Sequence, residues 1–261
     1  MHRISVLMGI YNCALTLQEA LDSLYAQTYQ NFQIILCDDG SVDNTYKIAQ
    51  ENANMHDNII LIKNDRNRGL NYTLNKCLKY ADTEYCARMD GDDISMPDRF
   101  EKEINFLDSH QEYTIVSTPM IYFDEQGEFK KCKGGYEPSK AKCARHTPFT
   151  HAPCMIKTEA YKSVGGYTVD KKLLRVEDYH LWIKMFSKGY RGYMLKEPLY
   201  KMRDNRYAGI RRTFKNRLGE MYVKHLAIKE LNLPKSNYIY CLKPLILGVL
   251  PTRIYNYFHK R

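Results

Sequence analysis

The feature that most limits what this chain can fold into is the alternation running from its start to about residue 117. Short β-rich runs stand at Ile4–Met8, Gln33–Cys37, Ile59–Ile62, Tyr85–Arg88 and Thr114–Ser117, with helix-like stretches between them. Ala14–Gln27 places Leu17, Leu21 and Leu24 on one face. Asp43 is placed to cap a helix running to about Ala53, and Asn71–Tyr80 sets Leu74 and Leu78 one turn apart. Pro97 sits where a helix N1 proline would, and Phe100, Ile104 and Leu107 follow at helical spacing. Alternation of this kind predicts an α/β fold with a mostly parallel central sheet and helices on both faces. Ligands of such sheets bind beyond the carboxyl ends of the strands. Gly9–Asn12, Asp38–Ser41 and Asp90–Asp93 all fall there, so three polar clusters are expected on one edge.

The third cluster carries the sharpest chemistry. Arg88-Met89-Asp90-Gly91-Asp92-Asp93 packs three carboxylates into four residues directly after an apolar run. Such groups repel one another and resist desolvation unless a cation or donor offsets them. A hard divalent ion, Mg²⁺ or Mn²⁺, takes oxygen ligands and would do so. An acidic surface turn is the plainer reading of these residues alone. Neither GxxxxGK[ST] nor GxGxxG is present, so a nucleotide site cannot be a P-loop or a dinucleotide fingerprint. Tyr11 could offer a ring face to a nucleobase and Asp39 could accept from a base N–H, although each is also an ordinary turn residue.

Beyond residue 117 the alternation lapses. Gly127, Gly134, Gly135, Pro138 and Pro148 punctuate a Lys-rich stretch, read as a hairpin and a mobile loop. A strand at Cys154–Lys157, a turn at Gly165-Gly166 and a helix carrying Glu177-Asp178-Tyr179-His180-Leu181-Trp182 follow. Phe214, Leu218, Met221 and Tyr222 mark a long amphipathic helix, and Asn237–Arg261 mixes aromatic and aliphatic residues with Lys and Arg.

Charge divides along the same line. The net charge is +9, with −10 over residues 1–126 and +19 over residues 127–261. An acidic half suits a metal, and a basic half suits something anionic: nucleic acid, lipid headgroups or a pyrophosphate-linked substrate. No RNP, zinc or helix-turn-helix signature accompanies the basic half, so nucleic acid is not expected as a partner. The eight cysteines show no CxxC pair and read as reduced thiols of a cytosolic protein. Met1–Arg3 run straight into the first strand, which predicts no signal peptide, and no apolar run approaches the ~20 residues of a spanning helix.

Taken together, the motifs resemble the family 2 glycosyltransferases of GT-A fold. The matching pieces are Ser5-Val6-Leu7-Met8-Gly9-Ile10-Tyr11-Asn12, Ser23-Leu24-Tyr25-Ala26-Gln27-Thr28-Tyr29 and Cys37-Asp38-Asp39-Gly40-Ser41-Val42-Asp43-Asn44-Thr45. They continue through Asn67-Arg68-Gly69-Leu70, Asp90-Gly91-Asp92-Asp93, Pro97-Asp98-Arg99, Gly165-Gly166-Tyr167 and Glu177-Asp178-Tyr179-His180-Leu181-Trp182. Each is weak alone; eight in order over roughly residues 3–200 are specific. The chain is most similar to the EpsE-like branch of bacterial exopolysaccharide and capsule synthesis.

The resemblance implies a GT-A domain over 1–205, with 1–117 the nucleotide-binding half and 118–205 the acceptor half. A helical basic extension over 206–261 would follow, suited to contact an anionic membrane surface from the cytoplasm. It implies an inverting transfer from a nucleotide-diphosphate sugar, UDP-linked by expectation, to a saccharide acceptor carried on a lipid. Gly9, Tyr11, Asn12, Asp39 and Ser41 would hold base and ribose, with Arg68 and Asn71 beside the donor. Asp90 and Asp92 form the DxD pair for Mn²⁺ or Mg²⁺: Asp92 as main ligand, Asp90 towards the ribose or a metal-bound water. Asp93 would support either. Asp178 matches the catalytic base, with Glu177 as orienting neighbour or acceptor contact. His151 would touch the acceptor, line the donor pocket or serve structure alone, and Arg203, Arg206 and Tyr207 would close over the diphosphate. Two other readings compete: a partner-binding protein on a transferase scaffold, and a sugar-nucleotidyltransferase. The latter wants a basic first loop, which Gly9-Ile10-Tyr11-Asn12-Cys13 does not supply.

Overall fold

The computed structural model describes residues 2–204 and 214–249. The expected loop residues Arg206 and Tyr207 and the last part of the tail, residues 250–261, lie outside them. The described chain forms two compact units that interleave in sequence. Of the described residues, the first comprises 2–138, 149–167 and 190–204, and the second comprises 139–148, 168–189 and 214–249.

The first unit is built as the alternation dictates. In order come β1 (Ile4–Ile10), α1 (Leu17–Tyr25), β2 (Phe32–Asp38), α2 (Thr45–Met55), β3 (Ile59–Lys63), α3 (Leu70–Tyr80) and β4 (Tyr85–Asp90). After them follow β5 (Ile94–Ser95), α4 (Arg99–Ser109), β6 (Ile115–Ser117), β7 (Met120–Asp124), β8 (Gly127–Lys131), β9 (Met155–Lys157) and α5 (Thr158–Ser163). The main sheet has seven strands, in which β10 (Gly192–Met194) occupies one edge: β10-β6-β9-β4-β1-β2-β3. All its pairings are parallel except those of β9, which runs against both β4 and β6. β1 and β2 are buried almost throughout, as strands covered on both faces must be. Ile4, Val6, Met8, Leu17, Leu21, Leu24, Ile34, Leu36, Phe100 and Ile104 belong to one core.

A second sheet of four strands, β5-β11-β7-β8, includes β11 (Tyr200–Arg203). The hairpin expected after residue 117 is its β7–β8 pair. Its other two members escaped sequence reading because β5 is two residues long and β11 four. Pairing of Tyr200 with Ser95 and of Lys201 with Ile94 brings β11 beside the acidic turn that follows β4. Two details differ from expectation. α4 starts at Arg99 behind Asp98, so Pro97 precedes the helix, its carbonyl accepting from Thr28 N–H at 2.7 Å. α2 starts behind Asn44, and Asp43 uses its carboxylate to accept from the Thr45 and Ala14 N–H groups.

The second unit carries α6 (Glu177–Ser187), α7 (Phe214–Glu230) and α8 (Ile239–Val249). Leu181, Trp182, Ile183 and Met185 of α6 are fully buried. α7 buries only part of the face expected from Phe214, Leu218, Met221 and Tyr222: the last two are half-buried, with Met221 packed on a small core. Phe214 and Leu218 are exposed, whereas Gly219, Val223, Ala227 and Ile228 turn inward. Gly219 explains the choice: a Cβ there would stand 3.2 Å from the Lys172 carbonyl, so this face admits the neighbouring backbone where a leucine face would not. The stretch expected as a mobile loop contains a 3₁₀ helix, Lys140–Ala144, whose Cys143 and Ala144 are buried.

Candidate active site

The loops after β1 and β2 are sewn together by side chains and backbone. Asn12, in the left-handed region at φ +48°, donates its N–H to Ser41 Oγ (3.0 Å), and its Oδ1 accepts from Val42 N–H (3.0 Å). Cys13 N–H donates to Thr45 Oγ1 at 2.8 Å. Gly9 lies where a Cβ would come 3.1 Å from Leu70 and 3.2 Å from Thr73, so α3 packs directly on the β1 backbone. Tyr11, 45% exposed, leaves a ring face open.

Asp39 organises the next loop. Its buried carboxylate accepts from Asn64 Nδ2 (2.7 Å), Arg68 N–H (2.9 Å) and Gly69 N–H (2.9 Å). A carboxylate offers about four lone-pair sites, so these three bonds leave room for one further donor. Arg68 extends outward over the Tyr72 ring at 4.5 Å, and Asn71, buried at the start of α3, accepts from Tyr72 N–H. The turn demands Gly40. Its φ is +73°, and a Cβ would meet the Arg66 backbone at 2.6 Å. Gly40→Ala should therefore lower stability by about 1–3 kcal/mol, read from urea unfolding midpoints, while an exposed control such as Val42→Ala should shift little.

The acidic turn is held from behind by cations that the sequence shows only as a charge inside a strand. Arg88, 2% exposed, forms an ion pair with Asp90. Burial lowers the pKa of this guanidinium, but the Asp90 charge and hydrogen bond, together with Tyr167 and Tyr200, more than offset it, so it stays protonated. Arg99 donates to the Arg88 carbonyl (2.9 Å) and pairs with buried Glu103 (3.2 Å). Asp90 N–H donates to the Tyr200 hydroxyl oxygen at 3.1 Å, and Thr16 Oγ1 donates to the Gly91 carbonyl at 2.9 Å. Arg203 closes the turn: its N–H donates to Asp93 Oδ1 (2.8 Å) and its Nε to the Asp92 carbonyl (3.0 Å), while its other end pairs with Glu19. Arg203, expected over a diphosphate, is thus committed to the carboxylate turn.

The carboxylates act on one another. Desolvation and then the Asp90 charge raise the Asp92 pKa; desolvation and the charges of Asp90 and Asp92 raise that of buried Asp93 well above the ordinary range. Desolvation is the larger cause in both, and the neighbouring carboxylate charges add to it. Among the described residues, no three His, Cys, Asp or Glu side chains are grouped to hold an ion by themselves. The donor set still fits Mn²⁺ or Mg²⁺. Such ions are commonly bound through one or two carboxylates plus substrate phosphates, leaving water or phosphate to complete the shell.

His151 is occupied structurally. Its Nε2 shares a short hydrogen bond with the Tyr167 hydroxyl, which in turn meets buried Tyr161, and desolvation followed by the Arg88 charge keeps the imidazole neutral. Glu177 and Asp178 belong to the second unit, where both stand half-buried in the first turn of α6, after Arg175 in a left-handed conformation.

Known proteins are similar to this arrangement along most of its length. A family model described as glycosyl transferase family 2 matches residues 5–165. A putative glycosyltransferase, EpsE, of Bacillus subtilis is 42% identical over 99% of this chain and 94% of its own. An Escherichia coli protein named UDP-Glc:alpha-D-GlcNAc-diphosphoundecaprenol beta-1,3-glucosyltransferase WfaP is 26% identical over 100% of this chain and 99% of its own. Among solved structures, S. aureus TarS 1-349 in complex with UDP superposes with a TM-score of 0.71 at 18% identity, over 93% of this chain and 70% of that one. The mannosyltransferase PcManGT of Pyrobaculum calidifontis, in complex with GDP-Man and Mn²⁺, does so with a TM-score of 0.67 at 19% identity, over 99% and 79%.

Proposed function

The chain belongs to glycosyl transferase family 2, and from that premise we propose that it catalyses an inverting, metal-dependent transfer of a hexose or N-acetylhexosamine from a UDP-sugar to a lipid-linked saccharide. Its class, a glycosyltransferase of GT-A fold resembling EpsE, follows from the family match and its relatives. The observation that carries the finer reading is the strand-end turn of Asp90, Asp92 and Asp93, whose mutual repulsion a divalent cation would relieve while keeping coordination sites open for a diphosphate.

In this reading Tyr11 stacks on the base, and Asp39 accepts from a base N–H with the lone pair its turn leaves available. Gly9, Asn12 and Ser41 shape the loop around the ribose; Arg68 and Asn71 lie beside the donor. Asp92, with Asp90, would hold Mn²⁺ or Mg²⁺, which when bound stabilises the negative charge gathering on the departing nucleoside diphosphate. Asp178 takes the proton from the acceptor hydroxyl as its oxygen bonds to the anomeric carbon. The bond to the diphosphate breaks on the opposite face, which inverts the configuration. Glu177 orients Asp178 or contacts the acceptor.

The name of WfaP supports a lipid-diphosphate acceptor, and such an acceptor suits a role in cell-surface polysaccharide synthesis. No described helix is long and apolar enough to cross a membrane. Peripheral contact of the basic C-terminal extension with the inner leaflet would bring the enzyme to such an acceptor. The test offers purified protein and Mn²⁺ a panel of UDP-glucose, UDP-galactose, their N-acetyl forms and GDP-mannose, and records nucleoside diphosphate release. One UDP-sugar should turn over fastest, and chelator should stop it. Turnover unaffected by excess chelator would overturn the metal reading; preference for GDP-mannose would overturn the UDP reading.

A further inference from the structure

The second unit contains a cavity of about 420 Å³ lined by none of the residues assigned to the transfer reaction. Ser139, Ala141, Lys142, Arg145, His146 and Asn237 line it. None of these is acidic. The wall is a built element: Lys140–Ala144 forms a 3₁₀ helix, and both Arg145 N–H and His146 N–H donate to the Lys142 carbonyl. The same helix is anchored at its far end. Ala144 belongs to a small core with Ile228 and Cys241, and the Cys143 carbonyl accepts from the Tyr179 hydroxyl at 2.8 Å.

Positive charge is gathered around this wall. The Arg145 guanidinium lies 4.7 Å from the centre of the Tyr240 ring, which fixes it, and Lys224 Nζ reaches the Tyr240 carbonyl at 3.5 Å. His146 senses the field. Burial, and then the charges of Lys224, Lys243, Lys142 and Arg145, hold its imidazole below the usual histidine range. Those four cations come from the 3₁₀ wall and its following turn, from α7 and from α8, so three elements converge on one imidazole. Cations brought together at some electrostatic cost, around a concavity with polar Ser139 and Asn237 at its rim, form a receptor for a compact polyanion. Its volume lies within the range of ligand pockets and is ample for a diphosphate.

We propose that this basic cavity of the second unit is a phosphate site, binding the phosphate or diphosphate group of a lipid headgroup or of a soluble ester, with Lys142 and Arg145 as the principal contacts. The inference does not rest on the transfer reaction. It extends the expected membrane contact from the tail to a defined pocket, and its failure would leave the carboxylate turn untouched.

The experiment follows the His146 imidazole by NMR in the full-length protein. Inorganic pyrophosphate is titrated first, then vesicles of phosphatidylglycerol or, as control, phosphatidylcholine. Pyrophosphate should shift the His146 resonance along a saturating curve and raise its titration midpoint by about one pH unit, as a nearby dianion favours the imidazolium. Lys142→Gln/Arg145→Gln should weaken that binding by about tenfold or more. Lys130→Gln/Lys131→Gln, which removes two charges from β8 of the first unit, should leave it unchanged. If phosphatidylglycerol vesicles displace pyrophosphate, the natural source is a lipid headgroup; if they do not, it is a soluble or diphosphate-linked ester. The proposal fails if neither probe moves His146 at concentrations of about 10 mM, where even a weak site of millimolar affinity would be largely filled. It fails equally if the β8 control pair weakens binding as much as the pocket pair, since bulk charge would then be the cause.

Discussion

Asp92→Asn should cut sugar transfer by about 10²–10³-fold, equivalent to about 2.7–4 kcal/mol of lost charge stabilisation. Asp92 is exposed and its side chain takes no part in the Arg203 and Tyr200 contacts that fix the turn, so the fold should survive the change. Its raised pKa has two causes, desolvation first and the Asp90 charge second, and Arg88 and Arg203 offset them only in part. Asparagine removes the repulsion and with it the reason for a cation to bind. The effect should therefore appear in two measurements together, as lost turnover and as weakened Mn²⁺-dependent UDP binding by calorimetry. A variant that keeps turnover within threefold of the parent, with an unchanged Mn²⁺ requirement, would remove Asp92 from the ligand set.

The second large effect belongs to the other unit. Asp178→Asn should lower kcat by about 10²–10⁴-fold, the range of a lost general base, while leaving UDP and Mn²⁺ affinity near the parent value. Asp178 and Glu177 are consecutive in α6 and so point about 100° apart, which means only one can face the attacking hydroxyl. Glu177→Gln should cost markedly less. The pH–rate profile separates a base from a merely structural acid: the acidic limb of the parent curve should vanish in Asp178→Asn. If Glu177→Gln proves the dead enzyme and Asp178→Asn the live one, the two roles exchange.

How much of this was legible beforehand can be judged from particular residues. Every predicted strand of the first unit lies within or overlaps an observed one, because strands in a sheet covered on both faces are mostly apolar and stand out between turns. Gly40 could be read as a turn residue, yet the need for glycine there comes from Arg66, 26 positions away. The support of the acidic turn was only partly visible. Arg88 could have been found as a charge in an otherwise apolar strand. Tyr200 carried no such mark, since four residues of mixed character do not announce a strand, and Arg203 reads in the sequence as a contact to the diphosphate and not as a support of the turn.

What the sequence by itself determined is the periodic core of the first unit and the placing of Asp90, Asp92 and Asp93 where β4 ends. Both follow from local rules, the near-continuous apolar runs of strands covered on both faces and the 3.6-residue repeat of helices. Only the tertiary structure decided which cations stand behind those carboxylates, which face α7 buries, and that Lys142, Arg145, Lys224 and Lys243 gather around His146. Those outcomes depend on groups tens of residues apart meeting in space, where unscreened charge and close backbone contact act over a few ångströms and leave no trace in sequence spacing.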